Sequence, residues 1–108
     1  MAQDFERNIF RQLTTSAQTL RTANSDDALV GINIANTTSS QIQVDVFIEV
    51  SSANYYLVKN APIPAGSALQ LLDGGAKVIM QSGDVLKAQS DTATSADVWV
   101  SVVDAIST

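Results

Sequence analysis

Gln41-Ile42-Gln43-Val44-Asp45-Val46-Phe47-Ile48-Glu49-Val50 is the stretch whose reading decides the fold. Ile42, Val44, Val46, Ile48 and Val50 fall on every second position, with Gln41, Gln43, Asp45, Phe47 and Glu49 between them. Side chains that alternate with a period of two belong to a β-strand buried on one face. The same alternation sets Val30, Ile32 and Ile34 against Gly31, Asn33 and Ala35, and Val98, Val100 and Val102 against Asp97, Trp99, Ser101 and Val103. Val44, Val46, Ile48, Val98, Val100 and Val102 are therefore expected to share one core.

Outward from these strands the chain reads as β throughout. Ala35-Asn36-Thr37-Thr38-Ser39-Ser40-Gln41 is rich in small polar residues that bond their own backbone, so residues 30–50 are expected to form a hairpin. Asn36-Thr37-Thr38 also matches a glycosylation sequon, and is read here as part of that turn. Further strands are expected at Tyr55 to Lys59, Ala68 to Leu72, Lys77 to Gln81 and Val85 to Gln89. Asp73-Gly74-Gly75 and Ser82-Gly83-Asp84 break them, because glycine supplies positive φ without steric cost. Ala61-Pro62-Ile63-Pro64 is stiff and extended, and is expected to carry the chain between sheets with Ile63 as an inward wedge. In residues 1–25, Phe5, Ile9 and Leu13 fit helical spacing, whereas Ile9, Arg11, Leu13 and Thr15 fit a strand. Thr14-Thr15-Ser16 lowers helix propensity, and the segment reads as a first hairpin with a loose N-terminal arm. The expectation is one domain: an antiparallel β-sandwich or jelly-roll-like fold over 28–106, with about eight or nine short strands in all.

Composition narrows the function. The 108 residues are 45% hydrophobic and 16% charged, so much of the surface is neutral and loses little hydration on meeting another protein. Eleven acids against six Lys and Arg, with no basic cluster, disfavour nucleic acid. No apolar run is long enough to cross a bilayer, and Met1 to Phe10 lacks the apolar core of a signal peptide. The absence of Cys and His removes thiol nucleophiles and the commonest general base and metal ligand. No enzyme, cofactor or metal is expected. The Asp residues at 26, 27, 73, 84 and 91 sit in turns, where they could ligate Ca²⁺, but they lack the spacing of a calcium loop and are read as turn formers.

The informative residues are aromatics that break the alternation. Phe47 shares a strand face with Gln43, Asp45 and Glu49, and Trp99 shares one with Asp97 and Ser101. Large rings directed away from the core are covered within the chain or by another subunit, since aromatics anchor interfaces. The candidate protein-contact set is Phe47, Trp99, Tyr55, Phe5 and Ile9. An alternative use of Tyr55, Tyr56 and Trp99 is to stack against a sugar.

The ordered segments Ile32 to Thr37, Val44 to Val46, Tyr56 to Ser67 with its Asn60-Ala61-Pro62-Ile63-Pro64-Ala65-Gly66-Ser67, Asp73 to Val78 and Gln81 to Lys87, and the last strand, Val98 to Val103, resemble one known group. Over roughly residues 28–104 the chain is similar to small virion structural proteins of tailed bacteriophages, especially those of cyanobacteria and other marine bacteria. The resemblance implies a β-sandwich present in many copies on a particle, as capsid decoration or cement, head-tail accessory or tail module. Its partners would be other virion proteins, and it brings no catalytic residues. The alternative role is a glycan-binding module of a fibre or baseplate.

Overall fold

The alternation resolves into eight strands in the computed structural model, which describes residues 4–104, without the side chains of residues 4 and 73–76. They are β1 (Asp4–Leu13), β2 (Gln18–Thr22), β3 (Asp27–Asn36), β4 (Ile42–Val50), β5 (Ala53–Ile63), β6 (Ala68–Met80), β7 (Val85–Ser90) and β8 (Ala96–Asp104). Two four-stranded sheets form, in the orders β1-β8-β3-β6 and β2-β7-β4-β5, with antiparallel neighbours throughout. This is the strand order of a jelly roll, two Greek keys folded face to face.

The inner faces meet as the alternation requires. Ile32, Ile34, Val98, Val100 and Val102 of the first sheet and Ile42, Val44, Val46, Ile48, Leu86 and Ala88 of the second belong to one buried cluster. All six residues expected in the shared core lie in it. Ile63 is buried there too, and the Pro62 to Ser67 segment carries the chain from β5 in one sheet to β6 in the other. Pro62 is accommodated because β5 is an edge strand. Ser67 N–H then donates to the Pro64 carbonyl at 3.1 Å with Gly66 at φ 72°, the glycine position of a type II turn.

Three local expectations are corrected. β3 and β4 are not a hairpin: they lie in different sheets, joined by an arch. The Asn36 side-chain amide donates to the carbonyls of Ser40 at 2.8 Å and Ile63 at 2.9 Å, and its Oδ1 accepts the Thr38 amide at 2.9 Å. Small polar residues turn a chain across a sandwich as readily as along a ladder, so composition does not separate the two. Second, Asp73-Gly74-Gly75 does not end a strand. β6 runs from Asp73 to Val78 while β3 moves only from Gly31 to Leu29, so the glycines lie in a bulge, which they permit as easily as a turn. Third, β1 and β2 form neither an arm nor a hairpin. β1 is an edge strand paired with β8, and β2 is an edge strand paired with β7. Residues 1–3, and residues 105–106 of the expected 28–106 core, lie outside the described residues. The one connection that stays within a sheet is β4 to β5, through Ser51 and Ser52 at φ 51° and 71°. Two-residue hairpins favour such positive angles, but serine seldom signals them.

One end of the sandwich is tied by a buried charge. Arg21 on β2 donates from Nε to Asp27 Oδ2 at 2.9 Å and from Nη1 to Asn8 Oδ1 at 2.8 Å and Glu6 Oε1 at 3.3 Å. Its Nη2 lies 3.5 Å from Asp104. Four strands therefore converge on one guanidinium. Burial acts to lower its pKa, but the hydrogen bond and charge of Asp27, with Glu6 and Asp104, outweigh this and raise it above the ordinary guanidinium value. A raised pKa means the stabilisation is complete below the ordinary guanidinium pKa, hence throughout the neutral and mildly alkaline range, and fades only in strong alkali.

The outer face of the second sheet covers itself. Phe47, which the sequence placed away from the core, is only 3% exposed because the Tyr56 ring lies over it at 5.0 Å and 42°. Lys59 stands 4.6 Å from the Tyr56 ring, and Lys87 pairs with Glu49 at 3.0 Å. Phe47 is thus removed from the contact set, its ring covered within the chain.

Two substitutions test these features. Arg21→Met takes the cation from fully buried Asp27 and is expected to destabilise by about 3 kcal/mol or more, a fall of over ~10 °C in melting temperature by calorimetry. Phe47→Ala is expected to lower stability by about 3 kcal/mol in urea unfolding while leaving intersubunit contact unchanged, and a near-wild-type midpoint would return Phe47 to the surface.

Candidate interaction surface

With Phe47 covered on the second sheet, where Tyr55 and Tyr56 stay exposed on edge strand β5, the outward positions of the first sheet carry the other exposed large apolar groups among the described residues. Register assembles them in rows. At one level Phe5 pairs with Val103, Val103 with Ala28 and Ala28 with Ile79, so one apolar row crosses all four strands. Phe5 is 85% exposed and Ile79 54%. The next row sets Arg7 beside Ser101 and Gly31. The third sets Ile9 beside Trp99, Asn33 and Gln70.

The third row differs in chemistry from the first. Trp99 is 50% exposed, and Arg7 stands over its ring at 5.3 Å from the β1 side. On the β3 side lies a notch of about 160 Å³ lined by Gly31, Ile32, Asn33, Gln70, Leu72, Trp99 and Ser101. A larger open concavity of about 410 Å³ lies on the β1 side, lined by Ile9, Phe10, Arg11, Asp97, Val98 and Trp99. There β1 bulges at Gln12, whose φ is 62° and whose N–H donates to Asp97 Oδ1 at 3.0 Å.

The sequence-derived contact residues therefore separate. Phe5, Ile9 and Trp99 come together on the first sheet, whereas Phe47 is covered and Tyr55 is exposed on β5 of the other sheet. Ile79, Val103, Gly31, Asn33, Gln70 and Ser101 were not anticipated. Ile79 was within reach of sequence reasoning: with Val78 and Met80 turned inward, the isoleucine between them must point out. Two of the turn acids accept backbone amides, Asp84 from Gln81 N–H within its own turn at 2.9 Å and Asp91 from Gln43 N–H on β4 at 3.0 Å, and Asp27 accepts from Arg21.

Comparison with known proteins places the fold. No protein-family model and no curated protein matches the chain. A chain of the IBDV viral particle is 9% identical with a TM-score of 0.57, the likeness covering 95% of this chain and 31% of that one. A chain of Bacillus endospore appendages, described as disulfide-linked pili, is 13% identical with a TM-score of 0.55, covering 98% and 88%. This chain thus spans about a third of the capsid chain it matches, and it has no cysteine to form a disulfide. At these identities the likeness establishes a shared sandwich architecture.

Proposed function

We propose that the chain is a multi-copy structural subunit of a tailed-bacteriophage particle, a capsid decoration or head-tail accessory protein that acts by contact and not by catalysis. The observation that carries this reading is the row Phe5, Val103, Ala28 and Ile79, apolar from one edge of the sheet to the other and uncovered at both ends. An apolar row whose ends stand exposed is what a subunit contact buries. The neighbouring folds support it, since one builds a viral particle and the other a pilus. The resemblance over residues 28–104 supplies the phage assignment. Other virion proteins are the partners.

The test is the double variant Phe5→Ser with Ile79→Ser. Both side chains are already largely exposed, so melting should shift by no more than a few degrees. Occupancy on purified particles should fall roughly thirtyfold, the equivalent of about 2 kcal/mol for an interface anchor. Unchanged occupancy with unchanged melting would overturn the assignment of this row.

A further inference from the structure

The notch beside Trp99 has a composition that the apolar row lacks. The side chains of Asn33, Gln70 and Ser101 make no hydrogen bond among the described residues, yet all three reach the same small concavity. Two amides and a hydroxyl supply both donors and acceptors, and the lining holds no charge. Trp99 lines its β8 side, with Arg7 on the β1 side 5.3 Å from the ring centre. Gly31 supplies the space: a Cβ built there would meet Ser101 Cβ at 3.7 Å and the Leu72 carbonyl at 3.8 Å, ordinary contacts with neither clash nor void. Concave sites that fix a ligand combine an apolar wall with a few convergent polar groups in this way.

The occupant must be uncharged, flat and apolar on one face, polar around its edge and about one ring in size. A peptide strand is disfavoured. The notch lies on the face of β8, β3 and β6; β8 and β3 are paired on both sides, and the open edge of β6 runs in the plane of the sheet and not across its face, so strand addition there would not fill the notch. The larger concavity across Trp99 is less suited, because its Asp97 is already held by the Gln12 amide.

We propose that this notch binds a neutral pyranose unit of a saccharide, its C–H face against Trp99 and its hydroxyls on Asn33, Gln70 and Ser101. The site lies two rows from Phe5, four residues or about 13 Å along β1, so a contact at the apolar row leaves it open. The inference does not rest on the proposed particle role.

Trp99 is the only tryptophan, so its emission reports the site directly. The purified chain is titrated with the methyl pyranosides of glucose, galactose, mannose and N-acetylglucosamine, and in parallel with a capped tetra-alanine peptide. A saturable emission change with at least one pyranoside is expected. Asn33→Ala and Gly31→Ala should weaken it roughly tenfold or more at unchanged melting temperature, while Phe5→Ser with Ile79→Ser binds as wild type. The proposal is overturned if no pyranoside alters emission up to about 50 mM, a concentration that detects even millimolar affinity. It is equally overturned if both notch variants respond like wild type, or if the peptide alone gives the change. Particle occupancy of the Gly31→Ala variant separates the two functions, since a subunit contact at the apolar row leaves it normal.

Discussion

Two half-apolar sheets have to cover each other, and nearly everything else in the molecule follows from that requirement. Neither sheet is stable alone, because the valine and isoleucine positions on its inner face would stand in water. Ile32, Ile34, Val98, Val100 and Val102 need Ile42, Val44, Val46, Ile48 and Leu86 opposite them. The chain meets the need by changing sheet at every connection except β4 to β5. The connections are therefore arches over the ends of the sandwich, and the devices that hold the ends are side chains: Asn36 at one, Arg21 at the other.

Closing the interior leaves two outer faces, and they are resolved in opposite ways. On the second sheet Tyr56 covers Phe47, Lys87 meets Glu49, and buried Asp45 accepts the Asn60 amide at 2.7 Å. That face satisfies itself. On the first sheet Phe5, Ile9, Ile79 and Trp99 remain exposed, as do the polar groups of the notch. A chain with so few charges has little with which to screen such a surface.

Fold class was legible because period-two alternation depends on local geometry alone. Ile42 to Val50 and Val98 to Val103 show it, and both strands stand where expected. What was not legible was whatever depends on which strand lies beside which. Asn36 to Ser40 has the chemistry of a turn whether it joins paired strands or crosses a sandwich. Asp73-Gly74-Gly75 permits a bulge as freely as a hairpin. Trp99 and Phe47 both sit opposite aliphatic faces and are equivalent on paper, yet Tyr56 exists to cover one and no ring covers the other. The notch was further from reach, since Gly31, Asn33, Gln70 and Ser101 come from three strands and acquire meaning only through register.

Charge separates the faces once more. Arg21, Lys59 and Lys87 are all engaged in ion pairs at the acidic end or on the second sheet. Arg7, Arg11 and Lys77 have no ion-pair partner among the described residues. Arg7 and Arg11 lie along β1 and Lys77 is exposed on β6, so the free cations flank the exposed apolar face of a chain whose formal charge is −5. Exposed Asp97 stands among them on β8, beside Arg11, so the face carries charges of both signs with cations in excess. Such an excess would attract an acidic surface over long range and speed encounter with it, and each cation at the rim could pair with an acid there.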